Sequence, residues 1–312
     1  MTHVATLLLL TACSSPPEPS TWVDEVYGDT QDRRARMMDV LDDLVRGTRG
    51  RLPGSEGDAT ARTAVVERFA SLELQPWGDT YEQRFVDAQG RETANVLGLV
   101  RGADPDLADE IVVVGAHHDH LGDGFPGAND NASGVAALLE LARDIADDPP
   151  ARTVLFATWG SEESGFEGSR YFASQPGALD DIVYVVNLDM VGTLRQAGFV
   201  RALGGRTGTP GRRWVEEAAM AWPGRTARPF WYSRRSDNAS FCEQGVPYVF
   251  FWTPDPECYH QACDTVDRID PHGLVAVTSL ARDVTRAAAD THVDLSAAVD
   301  AGVDVCRRLP KE

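Results

Sequence analysis

Five apolar runs of strand length recur along this chain, at residues 94–100, 111–115, 153–159, 182–188 and 246–252. Most are apolar almost throughout rather than alternating, which predicts strands buried on both faces. Between and around them, residues 32–46 place Ala35, Met38, Leu41, Leu44 and Val45 at helical spacing. Residues 58–72, with Asp58 as candidate cap, and residues 133–145, 211–220 and 271–290 also read as helices. Strands alternating with helices imply an α/β fold with a largely parallel sheet covered on both faces. In such open sheets, ligands bind beyond the carboxyl ends of the strands. No Pro/Gly-rich linker divides residues 21–312, which therefore read as a single domain.

Composition narrows this picture. A chain of 312 residues, 43% hydrophobic and 25% charged, has the length and make-up of a globular enzyme. Its formal net charge of −19 argues against nucleic acid and anionic membrane surfaces as partners. Residues 1–20 read as a lipoprotein-like signal peptide and tether. Four consecutive leucines end in Leu10-Thr11-Ala12-Cys13, a stretch too short to cross a bilayer but fit for a secretory signal core. The box before Cys13 resembles a bacterial lipoprotein cleavage site, although no Lys or Arg precedes it. The expectation is an exported protein, held to the cell envelope through lipid on Cys13 or else periplasmic or secreted. With Cys13 lipidated, four cysteines remain, enough for two disulfides in three connectivities. Cys258 and Cys263 bracket Tyr259-His260, which favours that pair and leaves Cys242 and Cys306.

The chemistry gathers where apolar runs give way to loops. The second run, at 111, continues through Gly115-Ala116 into His117-His118-Asp119-His120. Residues two apart on an extended chain share a face, so the Asp119 carboxylate is placed to accept the ring N–H of His117. Asp130 lies in Gly127-Ala-Asn-Asp130-Asn-Ala-Ser-Gly134, just before a helix, where a plain N-cap is the bland alternative. Glu162-Glu163 follows the third run. Adjacent carboxylates in an apolar cleft repel, and a cation beside one relieves this; the natural division puts Glu163 on metal and leaves Glu162 as general base and acid. Asp189 ends the fourth run, and His260 stands in the cysteine-flanked loop. Singly, each has an ordinary structural explanation. Together they supply what two zinc ions about 3.5–4 Å apart require: nitrogen and oxygen ligands, a bridging carboxylate and a free carboxylate. GxGxxG at Gly122–Gly127 neither starts at a strand end nor opens the helix, and no GxSxG or HExxH occurs. Two glycosylation sequons, at Asn131 and Asn238, have no role in an exported bacterial chain.

In order and wording, Gly-Ala-His117-x-Asp119, Gly-x-Asn-Asp130-x-x-Ser-Gly, Glu162-Glu163, Asn187-x-Asp189-Met and Tyr259-His260 with Asp264-Thr265 resemble the co-catalytic zinc aminopeptidases of the secreted aminopeptidase S and Y type. The likeness runs from about Asn95 to Asp270. It implies a mixed, mostly parallel sheet sandwiched between helices, two Zn²⁺ per chain and peptide substrates with a free N-terminus. It places His117 and Asp189 on one zinc, Glu163 and His260 on the other, and Asp130 between them. Glu162 becomes the proton shuttle, Tyr259 a support for the tetrahedral intermediate, and Asp119 and Asp264 supports for the ligands. Asn238 and Cys242 depart from common family residues without touching a ligand. A glutaminyl cyclase-like zinc transferase and a non-catalytic binding domain on the same fold are the competing readings. Phe166, Trp231, Tyr232 and Phe251 are candidate aromatics for a substrate pocket, each equally accounted for by core packing.

Overall fold

The five apolar runs form five adjacent strands in the middle of one sheet. The computed structural model describes residues 17–204, 211–223, 227–229 and 233–295. In chain order its main elements are α1 (Val23–Tyr27), α2 (Gln31–Val45), α3 (Glu56–Ser71), β1 (Gln75–Pro76), β2 (Glu82–Val86), β3 (Glu92–Val100), β4 (Ile111–His117), α4 (Ser133–Asp147), β5 (Thr153–Trp159), α5 (Glu167–Ser174) and β6 (Ile182–Leu188). The second part adds α6 (Leu194–Ala197), β7 (Val200–Leu203), α7 (Gly211–Ala218), β8 (Ala227–Pro229), α8 (Asn238–Cys242), β9 (Tyr248–Trp252) and α9 (Pro271–Asp290). The strand order is β1-β3-β5-β4-β6-β9-β7-β8, with β2 also paired to β3.

The centre, β5-β4-β6-β9, is parallel. The margins are not: β1, β2 and β5 run antiparallel to β3, and β7 runs antiparallel to β9. Short connections explain the β2–β3 margin, since a tight turn can join only antiparallel neighbours. Residues alternate between two cores. Val112, Val114 and Ala116 face the layer of α2, α4 and α9, while Ile111 and Val113 face Trp159, Phe172 and Phe241 beneath α5 and α8. Each fully buried Val, Leu or Phe contributes about 1.5–3 kcal/mol. No helix of the described residues is long and apolar enough to cross a membrane.

Two boundaries differ from expectation. The helix predicted from residue 58 starts at Glu56, and its cap is Ser55, whose Oγ accepts the Asp58 N–H at 3.1 Å. Asp58 is instead wholly buried; it accepts the Thr93 hydroxyl at 2.9 Å and lies 3.2 Å from His118 Nε2. The last central strand begins at Tyr248, two residues late, because Pro247 has no N–H for a ladder. Residues 1–16 of the leader, with Cys13, and Cys306 lie outside the described residues, as do Trp231 and Tyr232.

Candidate metal centre

Parallel strands deliver their carboxyl ends to one edge of the sheet. His117 is the last residue of β4, Asp189 follows β6 directly, and Glu162 and Glu163 occupy the turn after β5. Asp130 lies between β4 and α4, and His260 in the loop after β9. The structure thus brings all six to one place.

Asp130 stands at the middle. Its Oδ1 is 3.3 Å from His117 Nε2, and its Oδ2 is 3.1 Å from His260 Nε2. His117 Nε2 also lies 3.5 Å from Asp189 Oδ1, and His260 Nε2 lies 2.9 Å from Glu163 Oε2. The two carboxylate oxygens therefore face two separate ligand groups. Asp130 Oδ2, Asp189 Oδ1 and His260 Nε2 are buried and, although close to one another's groups, none makes a well-aligned hydrogen bond among the described residues. Buried polar atoms are almost always satisfied, so convergent orphans fit a cation better than one another. The electrostatics agree. Burial alone would lower the His117 pKa, but Glu162 and Asp189 hold it well above the ordinary imidazole value. Asp130 and Glu163 raise His260 to about 10. A field that draws protons onto two imidazoles equally draws a divalent cation between them. Nitrogen and carboxylate oxygen donors suit zinc.

Asp130 is not the cap of α4. Its backbone is non-helical (φ −107°, ψ 90°) and a cis peptide joins it to Asn131. Asn131 does the capping work: its Oδ1 accepts from Gly134 N at 2.9 Å and Met190 N at 3.1 Å, while its Nδ2 donates to the Leu188 carbonyl at 2.9 Å. One amide thus ties the start of α4 to the end of β6, and so Asp130 to Asp189. Asp264 accepts the backbone N–H groups of Asn129 at 2.8 Å and Asp130 at 3.0 Å, as a support for that ligand would.

Asp119 supports the site differently from expectation. His117 Nδ1 bonds the Asp119 carbonyl at 3.2 Å; the carboxylate is farther, at 3.6 Å. That carboxylate accepts from Glu162 N at 2.9 Å and Glu163 N at 3.3 Å, fixing the paired-glutamate turn. The reason is the end of β4: past His117 the chain leaves the sheet, and two-residue periodicity no longer directs the side chain.

Glu162 is buried, with Oε2 3.9 Å from His117 Nε2, and belongs to neither of the two compact groups of candidate metal donors, His117-Asp130-Asp189 and His120-Asp130-Glu163. Burial pushes its pKa well above the usual carboxylate value. Cys258 and Cys263 are joined, with Cα atoms 5.4 Å apart, closing the loop that carries Tyr259 and His260. The Tyr259 ring stacks on His260 at 3.9 Å and is half exposed. Ser161, Met190 and His260 all have positive φ near 56°, an uncommon backbone for non-glycine residues that concentrates at functional sites.

Three groups escaped the sequence reading. His120, fully buried, sets its Nδ1 2.7 Å from Glu163 Oε1. It belongs to the same histidine run, but it lies in the loop beyond the strand, where spacing carries no direction. Arg51 grips the ligand-bearing loops from behind. Asp237, pushed up to about 7 by burial, lies below the same edge; a lone Asp among 48 acidic residues carries no sequence signal.

A cleft of about 400 Å³ opens from the centre, walled by Met190, Leu203, Phe250, Trp252, Arg201 and Tyr259. Phe251 is not among them. It points into the opposite core, and strand alternation turns its neighbours Phe250 and Trp252 to the cleft. Phe166 also lies off the cleft, with Arg170 over its ring.

Comparison with known proteins agrees with this geometry. An aminopeptidase of Pseudomonas aeruginosa is 32% identical over 212 residues, 59% of this chain and 39% of that protein. The probable lipoprotein aminopeptidase LpqL of Mycobacterium tuberculosis is 27% identical over 278 residues, 78% of this chain and 55% of that protein. The chain thus spans between about two-fifths and just over half the length of these relatives. The zinc aminopeptidase BSAP of Bacillus subtilis shares the fold, with a TM-score of 0.70 at 16% identity over 84% of this chain and 97% of that one. A glutaminyl cyclase of Porphyromonas gingivalis does so too, with a TM-score of 0.68 at 19% identity over 80% of this chain and 97% of that one, so the fold alone does not select the reaction. Residues 95–285, well over half the chain and the span that holds all the candidate ligand residues described above, match Peptidase family M28, and the chain belongs to that family.

Proposed function

We propose that this protein is a zinc aminopeptidase that removes N-terminal residues from peptides, using two zinc ions per chain. One observation carries the reading: the two oxygens of Asp130 face different histidines, each backed by a further carboxylate. His117 and Asp189 would hold one ion, His260 and Glu163 the other, and Asp130 both. The names of the P. aeruginosa, M. tuberculosis and B. subtilis proteins support the same activity.

Zinc in this position would supply Lewis acidity, lowering the pKa of a water towards ~7 and polarising a carbonyl. The rest falls to the chain. The acidic floor of the cleft attracts the substrate's free α-amino group, and Met190, Leu203, Phe250 and Trp252 take the first side chain. Glu162, buried and outside the ligand groups, accepts the proton of the attacking water and returns it to the leaving amine. The Tyr259 hydroxyl, kept protonated because partial burial and the nearby carboxylates raise its pKa, donates to the oxyanion. Asp119 and Asp264 hold the glutamate turn and Asp130 by their backbones.

A screen of aminoacyl-nitroanilides against zinc-loaded protein tests this. Free aminoacyl substrates should be cleaved and their N-acetylated forms left intact. Cyclisation of N-terminal glutamine without hydrolysis of any aminoacyl substrate would overturn it.

The chain is also proposed to be exported and anchored through lipid on Cys13. The support is Leu10-Thr-Ala-Cys13 and the lipoprotein name of the M. tuberculosis relative. Mass spectrometry of the native N-terminus should find a lipid-modified Cys13; a chain still beginning at Met1 would refute it.

A further inference from the structure

Arg51 carries a fully buried guanidinium. It stands in the loop between α2 and α3, and its five hydrogen bonds to the described residues all go to backbone carbonyls. Nε donates to His118 O at 2.7 Å. Nη1 donates to Pro126 O at 3.0 Å and Leu44 O at 3.2 Å. Nη2 donates to Gly127 O at 2.7 Å and, more weakly, Asp130 O at 3.4 Å. The Arg51 carbonyl in turn accepts His120 N–H at 3.0 Å. A buried charge is costly unless it is paired or richly hydrogen-bonded. Here the fork, braced on Leu44 in α2, joins two further chain segments. One segment, His117 to His120, brings His117 and the histidine on Glu163. The other, Pro126 to Asp130, brings the residue in the middle of the site. Gly127 fits this grip: its φ is +61°, and a Cβ there would come within 2.5 Å of the His120 ring. The opposing charges that act on it are those of the site itself, Asp130, Asp264, Asp119 and Glu163.

We infer that Arg51 is a positioning residue for metal binding: its planar fork sets the spacing between the His117 strand end and the Asp130 loop and places a fixed positive charge behind the carboxylates. This rests on the zinc reading above. Lysine would keep the charge but, with one nitrogen, cannot reach His118, Pro126 and Gly127 together.

The test is zinc affinity, measured by competition with a chromophoric chelator, on wild type, Arg51→Lys and Arg51→Met. Arg152→Lys is the control. Arg152 is also buried and grips the carbonyls of Ala288, Thr291 and Val293, though its Nε pairs with the Glu110 carboxylate at 2.6 Å, and it stands beside the first residue of β5, at the opposite edge of the sheet. Arg51→Lys should weaken zinc binding by about 10–100-fold, the usual effect of an outer-shell change, and Arg51→Met by at least as much. Arg152→Lys should lower thermal stability and keep wild-type affinity. Wild-type affinity in either Arg51 variant, or an equal loss in Arg152→Lys, would overturn the role of Arg51. If Arg51→Lys is unfolded without zinc, the zinc concentration that restores its far-UV signal reads the same affinity. Failure of excess zinc to restore it would also overturn the assignment, because the residue would then serve the fold itself. A wild-type protein that takes up no zinc would remove the metal-site reading, and this inference with it.

Discussion

Glu162→Gln should keep its zinc and its fold and lose kcat by about 10²–10⁴-fold, the usual contribution of a general base. The amide is the same size as the carboxylate and cannot accept the proton of an attacking water at neutral pH. The turn should survive the change, because Asp119 holds it through the backbone N–H groups of residues 162 and 163 rather than through the Glu162 side chain. Metal should survive too, because Glu162 stands outside both ligand groups. The loss should fall on kcat with little change in KM, since no uniform binding contact is removed. Zinc content and kcat measured on one preparation check this. Near-normal turnover with zinc bound would show that the proton passes through another group.

The second large effect concerns Asp130→Asn. The substitution leaves one oxygen and replaces the other with an NH₂ group, which cannot ligate a cation. Of the two groups that converge on residue 130, one must then lose its shared ligand. The loss of affinity should exceed the roughly 10–100-fold typical of outer-shell changes, and bound zinc should fall below that of wild type in the same buffer. The bonds of Asp264 to the backbone of Asn129 and Asp130 do not involve the changed side chain, so the loop should stay in place. Elemental analysis with a thermal melt decides the point. Unchanged zinc content in a folded variant would exclude a bridging role.

Much of this site is legible in the sequence because parallel strands turn position along the chain into position in space. An apolar run buried on both faces announces itself, and its carboxyl end is where the chain must meet a ligand. His117, Glu162, Glu163 and Asp189 are placed at the strand ends by that rule, and the resemblance gives them their expected roles. Asp130 and His260 need the resemblance as well, since no periodicity aims a loop residue. What escapes is what loops and distant segments contribute. Arg51 acts 67 residues before the carbonyl it grips at His118, and no local pattern encodes that contact. His120 is hidden for the same reason as the true role of Asp119: beyond a strand end, backbone turns set side-chain direction. Ser55 outranks Asp58 as a cap because it stands three residues before the N–H it receives, the geometry of a capping box, while Asp58 is drawn inward by Thr93 and His118. The antiparallel margins escape because β1, β7 and β8 are only two to four residues long, too short for any period to register.

Zinc stoichiometry tests the central claim most directly. Protein purified without chelator, then saturated with zinc and freed of excess, should contain two zinc ions per chain by elemental analysis, and anomalous scattering should place them on either side of Asp130, one beside His117 and Asp189 and one beside His260 and Glu163. A content fixed at one or zero, not raised by added zinc, would contradict the two-metal site.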